Sequence, residues 1–206
     1  YTGNTSGYGP VGSGSTIDTL RWLEEWYLQK FWSNRNEIFL DQTIFDIQKK
    51  FRGEYEIIVT LDGAWAEPIK GVSYIYNQEA RGMRTAINQA VAQATGKYIM
   101  KLDAHCMVEV RIDEKLKAVH QPNWVQTPRR KRYDPNKWVL TDQDVPDVDY
   151  MFVGRGYKGH KDNDKNRDPE LKKKLLDDIE VFQGSCYFMT RDLFNKLGLL
   201  DDINFG

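Results

Sequence analysis

The sequence has little cysteine, no long hydrophobic run and almost no net charge. The two cysteines, Cys106 and Cys186, are too few for a disulfide framework, and their apolar surroundings predict buried free thiols in a reducing cytosol. No apolar run approaches the roughly 20 residues of a membrane span, and the start of the sequence lacks the basic and apolar segments of a signal peptide. A net charge of −1 provides no general attraction to nucleic acid. These absences leave a globular, cytoplasmic protein whose 206 residues are enough for one domain.

The first 34 residues differ from the rest of the chain. Residues 1–16 are rich in Gly, Ser and Thr, which is typical of a flexible arm. Their glycines do not form a phosphate loop, because no strand precedes them and no lysine follows. Apolar residues at helical spacing predict a helix over 17–27.

Helices and strands alternate between residues 35 and 105. Apolar residues at helical spacing predict one helix that ends at Lys50 and a second over 83–94, with Gly96 as its C-terminal cap. The near-continuous apolar runs between and after these helices are typical of strands covered on both faces, as in a parallel sheet. Such strands are predicted over 56–61, 72–76 and 98–102. The alternation predicts an α/β fold with a mostly parallel central sheet flanked by helices, and such sheets bind ligands beyond the carboxyl ends of their strands.

The second half of the sequence is less regular. Strands are predicted over 124–127 and over 181–189, the second interrupted at Gly184, and Thr190 is expected to cap a short helix that ends at Gly198. The basic cluster at 129–132 is more typical of a solvated loop than of a nucleic-acid site, although it could contact a diphosphate or an anionic acceptor.

Asp103 and His105 follow the predicted strand over 98–102. Alternate side chains of a strand share a face, so we expect these two to point the same way. A carboxylate and an imidazole suit a Mn²⁺ or Mg²⁺ ion that shares its coordination with phosphates. The alternative is a solvated carboxylate beside a histidine bonded to the backbone. A structural zinc site would need a second Cys/His cluster, which this sequence does not offer.

Other polar residues are candidates for the same edge of the sheet. Asp62 either belongs to a simple Asp-Gly turn or accepts hydrogen bonds from a base or ribose. Arg81, Arg84 and Asn88 lie at the start and on the polar face of the helix over 83–94. They form either a solvated face or a set of donors beside a diphosphate at the helix N-terminus.

Five segments share a pattern with a known family: 35–37 (RNE), 56–63 (EIIVTLDG), 81–84 (RGMR) with Asn88, 95–105 (TGKYIMKLDAH) and 183–191 (QGSCYFMTR). In this order they resemble glycosyltransferase family 2, which has the GT-A fold. The Asp-x-His form of the metal motif resembles that of the polypeptide N-acetylgalactosaminyltransferases and of bacterial and phage members of family 2. The length leaves no room for the lectin domain of the animal enzymes, so we expect a bacterial or phage-like member.

The resemblance implies a metal-dependent enzyme that moves a hexosyl or N-acetylhexosaminyl group from a nucleotide-sugar, a UDP-sugar, to an unknown hydroxyl acceptor. It implies Mn²⁺ or Mg²⁺ bound by Asp103 and His105, in the cytoplasm of a bacterial or phage-infected cell. The implied donor-binding residues are Asn36, Glu37, Asp62, Arg81, Gly82, Arg84, Asn88 and Asp103, and the acceptor-side residues are Gln183, Gly184 and Ser185.

The same resemblance predicts the domain boundaries. Residues 1–34, an arm and a helix, have no counterpart in the family, and the GT-A domain covers 35–206. The family's catalytic carboxylate follows a segment such as 200–206, so we expect the base to lie beyond Gly206 and the domain to be C-terminally incomplete.

Two other functions stay open on the sequence. One is a catalytically inactive module that binds a nucleotide-sugar or serves in assembly. This alternative stays open because the motif that carries the catalytic base is absent. The other is a nucleotidyltransferase, which uses a similar sheet. That enzyme class needs a glycine-rich loop with Arg or Lys after its first strand, which residues 35–37 do not supply.

Overall fold

The computed structural model describes residues 38–141, 150–155, 159–182 and 184–204. The predicted N-terminal arm and its helix lie outside the described residues, as do the candidate residues Asn36, Glu37 and Gln183.

The described residues form the predicted α/β arrangement, in which helices and strands alternate through the first half. The helices are α1 (Leu40–Lys50), α2 (Met83–Gln93), α3 (Ile112–Val119), α4 (Asn163–Arg167), α5 (Pro169–Lys173) and α6 (Arg191–Leu197). The strands are β1 (Ile57–Asp62), β2 (Val72–Asn77), β3 (Tyr98–Leu102), β4 (Tyr133–Asp134), β5 (Val139–Leu140), β6 (Met151–Val153), β7 (Gly159–Lys161) and β8 (Cys186–Thr190).

Strands β1 and β2 pair in parallel, as predicted, with Asp62 opposite Asn77 at their carboxyl ends. The apolar face of α1 packs against this pair, because Leu40 and Ile44 are buried in one cluster with Leu61. The β1 side chains are mostly half-buried rather than buried on both faces. This strand is therefore less enclosed than its apolar run predicts.

Strand β3 pairs antiparallel with β8, a strand that arrives from the far end of the chain, with Leu102 opposite Cys186. Val91 of α2 and Phe194 of α6 are buried in the cluster that covers this pair. The other two ladders among the described residues, β4–β5 and β6–β7, are also antiparallel. The β3–β8 pairing was not predicted, and it brings the residues before β8 to the carboxyl end of β3.

Three sequence-based boundaries are wrong. Gly96 does not cap α2, because the helix ends at Ala94 in an extended conformation and the Gly96 N–H binds the Glu56 carboxylate at 2.9 Å. The predicted strand over 124–127 is reduced to one bridge between Gln126 and Phe188. Pro128 follows closely and has no N–H with which to continue the ladder.

The third boundary is the start of the strand predicted over 181–189, which begins only at Cys186. Gly184 and Ser185 form a turn before it. After this strand, the predicted helix is confirmed: the Thr190 hydroxyl accepts from the Leu193 N–H at 3.1 Å, and Gly198 ends the helix with φ +90°.

The basic cluster at 129–132 contributes to the fold through Arg129. The Arg129 guanidinium donates to the carbonyl oxygens of Leu171, Lys172 and Lys174, at the C-terminal end of α5. The last carbonyls of a helix lack partners within the helix and attract cations. Arg129 therefore has a structural partner, and it is not the solvated residue that the sequence favours.

Both cysteines are free thiols, as predicted. Cys186 is buried, and this burial raises the pKa of its thiol to about 12. In the part of the chain that the structure describes, no helix is both long enough and apolar enough to cross a membrane.

Candidate functional site

Strand β3 ends at Leu102, so Asp103, Ala104 and His105 form a turn beyond the strand. Both residues follow the last residue of the strand, so the alternation of strand side chains does not determine how they are oriented. Asp103 is half-buried and His105 is exposed. Both lie at the carboxyl end of β3, where an α/β sheet binds its ligands.

Thr43 of α1 holds this turn from beneath. Its hydroxyl donates to the Ala104 carbonyl at 2.8 Å and accepts from the Cys106 N–H at 3.1 Å. Thr43 is 3% exposed, so both bonds are shielded from water. One buried hydroxyl thus fixes the backbone on both sides of His105.

Replacement of Thr43 by Val is expected to destabilise the protein by about 2 kcal/mol, because it keeps the shape and leaves a buried carbonyl and N–H without partners. Urea denaturation measures this change. Thr43→Ser keeps the hydroxyl and is the control. Equal stability of the Val and Ser variants would show that the hydroxyl does not hold the turn.

Two further contacts hold the turn from its sides. The Asp103 N–H donates to the Ser185 carbonyl at 2.9 Å, which joins the turn to the residues before β8. The Tyr133 hydroxyl donates to the His105 carbonyl at 2.6 Å from the hairpin of β4 and β5. The Trp138 ring, whose centroid is 5.2 Å away, packs edge-on against Tyr133. Three separate parts of the chain therefore fix the backbone of this turn, which is the preorganisation that a ligand site needs.

Lys101 lies beside the Asp103 carboxylate. Its ammonium forms an ion pair with Asp103 and donates to the Gly184 carbonyl at 2.6 Å. The Lys101 side chain is 10% exposed and that of Asp103 is 30% exposed. Sequence analysis missed this residue, although a lysine in an apolar run is a visible anomaly.

Asp62 binds the chain itself at the start of α2. Its carboxylate accepts the N–H groups of Arg81 at 2.9 Å and Gly82 at 2.7 Å, and the Asn77 side-chain amide at 2.8 Å. Partial burial opposes ionisation of Asp62, but the bonds from Arg81, Asn77 and Gly82 outweigh it and hold the pKa below its ordinary value. Gly82 has φ +95°, a backbone conformation that favours glycine. Asp62 therefore shapes the loop that begins α2.

Asn88 is buried and docks the C-terminal segment onto α2. Its side chain donates to the Leu200 carbonyl at 2.9 Å and accepts the Leu200 N–H at 3.0 Å. Asn88 is therefore not part of a solvated face, which was one of the two interpretations that the sequence left open. Met83, the first apolar residue of the same helix, is 61% exposed.

Replacement of Asn88 by Ala is expected to release the segment over 199–204 from α2, because both hydrogen bonds to Leu200 are lost. Hydrogen exchange measures the effect, and we expect the Leu200 amide to exchange roughly tenfold faster. Gln93→Ala, a change on the same helix, is the control. Unchanged exchange at Leu200 would contradict the assigned role.

The two arginines of the candidate set lie at the start of α2. Arg81 is exposed and Arg84 is half-buried. Hydrogen bonds from Asn204 are the main cause of a lowered pKa at Asp201, and the Arg84 charge lowers it further. Arg84 is thus close to the C-terminal segment that Asn88 docks.

The Asp62 loop and the Asp103–His105 turn lie at the same edge of the fold. Leu61, which precedes Asp62, is buried in the cluster against which Ala104 packs. The structure therefore brings most of the described candidate residues to one region: Asp62, Arg81, Gly82, Asp103, His105, Gly184 and Ser185.

The side chains that could hold a metal ion there are Asp103 and His105. Among the described residues, no group of three or more His, Cys, Asp and Glu side chains is placed to share an ion. A site with one carboxylate oxygen and one imidazole nitrogen would leave several positions for water and phosphate oxygens. That donor set fits Mn²⁺ or Mg²⁺ bound together with a substrate.

The chain was compared with known proteins. Residues 33–198 match the family described as glycosyl transferase family 2. A comparison with curated protein sequences finds no match. Among solved structures, the chain is similar to the crystal structure of GalNAc-T7 with UDP, GalNAc and Mn²⁺, with a TM-score of 0.63 and 19% identity.

This likeness covers 80% of the chain but 34% of GalNAc-T7, so the chain spans about a third of that protein's length. At this identity the likeness shows the fold, which is the GT-A α/β fold. The family match covers more than half of the chain and agrees with that fold. The chain therefore belongs to glycosyl transferase family 2.

Proposed function

We propose that this domain transfers a sugar from a UDP-sugar to a hydroxyl acceptor and that the reaction depends on Mn²⁺ or Mg²⁺. Family membership supports glycosyl transfer as the reaction class. The structurally similar GalNAc-T7 was crystallised with UDP, GalNAc and Mn²⁺, which supports this donor class and metal. The observation that carries the proposal is the rigid Asp103–His105 turn joined to Ser185.

Asp103 and His105 would hold the metal ion through one carboxylate and one neutral imidazole. The bound ion would offset the negative charge that develops on the leaving nucleotide. The backbone contacts from Thr43, Tyr133 and Ser185 would keep both ligands in position without help from the substrate.

The start of α2 would receive the diphosphate. Asp62 orients this loop by binding the Arg81 and Gly82 N–H groups, so its effect on the donor is through the backbone. Arg81 and Arg84 would add positive charge near a helix N-terminus, which favours phosphate binding. Asn36 and Glu37 would contribute to the nucleotide pocket.

The acceptor would approach the turn that precedes β8. Gly184 and Ser185 lie next to Asp103 through their contacts with Lys101 and the Asp103 N–H, so an acceptor hydroxyl bound there would be close to the metal-bound donor. The family resemblance implies that Gln183 would also contact the acceptor.

The test is release of UDP from UDP-glucose, UDP-N-acetylglucosamine and UDP-N-acetylgalactosamine, measured with Mn²⁺ or with EDTA. We expect release from at least one donor with Mn²⁺, its loss with EDTA, and its recovery when excess Mn²⁺ is added. Metal-dependent binding of UDP without release from any donor would favour the inactive binding module. Pyrophosphate release from a nucleoside triphosphate and a sugar phosphate would instead indicate a nucleotidyltransferase.

A further inference from the structure

The candidate metal site contains an internal cation. The Lys101 ammonium forms an ion pair with the Asp103 carboxylate and donates a hydrogen bond to the Gly184 carbonyl at 2.6 Å. Both partners lie at the carboxyl end of β3, and the Lys101 side chain is 10% exposed. This lysine is therefore part of the site.

The position of Lys101 is costly for a lysine. The residues around it in β3 (Tyr98–Leu102) are otherwise apolar, and a lysine charge is seldom placed so far from water without a partner. The ion pair with Asp103 offsets that cost. The negative charge of Asp103 is therefore paired with that of Lys101 when no other cation is bound.

This pairing changes how the turn attracts a divalent cation. The positive charge of Lys101 offsets the negative charge of Asp103. An entering metal ion must either displace the ammonium from Asp103 Oδ1 or bind Oδ2 beside it, and in both cases it meets the repulsion between two cations. A nucleoside diphosphate brings negative charge of its own, which restores the attraction that Lys101 removes.

We propose that Lys101 competes with the divalent cation for Asp103, so that the metal binds well only together with the donor diphosphate. This inference rests on the proposed role of Asp103 as a metal ligand. The Gly184 carbonyl gives the ammonium a partner that it keeps when it leaves Asp103. Because coupling between two ligands is reciprocal, Lys101 would also make diphosphate binding depend on the metal.

A purely structural role for Lys101 predicts the opposite effect. If the lysine only ties the turn to Gly184, its removal loosens the turn and weakens metal binding. If it competes, removal of its charge strengthens metal binding in the absence of nucleotide. The direction of the change separates the two roles.

The experiment titrates Mn²⁺ into the protein with and without UDP and follows free Mn²⁺ by electron paramagnetic resonance. For Lys101→Met we expect Mn²⁺ alone to bind at least roughly tenfold more tightly than to the wild type. We also expect UDP to improve Mn²⁺ binding less in this variant. Lys101→Gln keeps a donor for Gly184 without the charge, and it gives the same test if the Met variant folds poorly.

Two controls complete the experiment. Lys115→Met removes one positive charge at an exposed ion pair elsewhere and should leave Mn²⁺ binding unchanged. Mn²⁺ binding by Lys101→Met and Lys101→Gln that is equal to or weaker than wild-type binding overturns the inference. The variant Asp103→Asn distinguishes failure of this inference from failure of the proposed function. If Mn²⁺ binds Asp103→Asn as it binds the wild type, Asp103 is not a metal ligand, and the proposed function fails independently of Lys101.

Discussion

Replacement of Asp103 by Asn is expected to abolish metal-dependent UDP binding and to lower the rate of sugar transfer by on the order of 10³-fold. The amide keeps the shape of the side chain but loses the charge that a hard divalent cation requires. Only two protein ligands are available among the described residues, so the loss of one leaves His105 alone. Steady-state release of UDP at saturating Mn²⁺ measures the effect.

The controls for Asp103→Asn address its fold. The change removes the partner of Lys101, which is mostly buried, so the variant could lose activity through instability. The double variant Asp103→Asn with Lys101→Met removes both charges and should recover stability without activity. Asp164→Asn changes an exposed carboxylate on α4 and should behave as the wild type. Loss of a charge-stabilising contact lowers a rate by much more than threefold. If the rate of sugar transfer by Asp103→Asn stayed within about threefold of the wild-type rate, that result would contradict the assigned role.

Replacement of Asp62 by Ala is expected to lower the free energy of unfolding by about 3 kcal/mol, because three N–H donors lose a charged acceptor. Two of these donors, Arg81 and Gly82, define the start of α2, and the third belongs to Asn77 on β2. Urea denaturation measures the loss, with Asp164→Ala as the control. A loss no larger than that of the control would show that this network adds nothing to stability.

The Asp62 network also predicts how stability depends on pH. The Asp62 pKa lies below its ordinary value of 3.8 in the folded protein, so its contribution is fully present above pH 3.8. That contribution is lost as the pH falls through the folded pKa, because the unfolded state then binds the proton more readily. The wild type should therefore lose more stability than Asp62→Ala between about pH 5 and pH 2. Parallel pH profiles for the two proteins would contradict this assignment.

The first half of the fold could be predicted because its signals are local. The apolar spacing of α1 and the apolar runs of β1, β2 and β3 are visible within short windows of sequence. The antiparallel pairing of β3 with β8 could not be predicted in this way, since it joins Leu102 to Cys186 across a long and irregular segment. That pairing brings Ser185 to Asp103, so this part of the site depends on a contact without a local signal.

Individual side chains were hardest to place where a polar residue serves the fold. Asn88 has the spacing of an open helix face, yet it is buried because it completes the hydrogen bonds of Leu200. Arg129 belongs to a basic cluster typical of solvent, yet it binds the end of α5. Polar side chains that satisfy backbone groups of a distant segment leave no periodic pattern, so these roles require the structure.

The central claim is that the Asp103–His105 turn binds a divalent metal together with the diphosphate of a nucleotide-sugar. Calorimetric titration of UDP into the wild-type protein, with and without Mn²⁺, tests it most directly. We predict binding at least roughly tenfold tighter with Mn²⁺ than in EDTA, since metal and diphosphate supply each other's missing charge. Equal affinity for UDP under both conditions would contradict the claim.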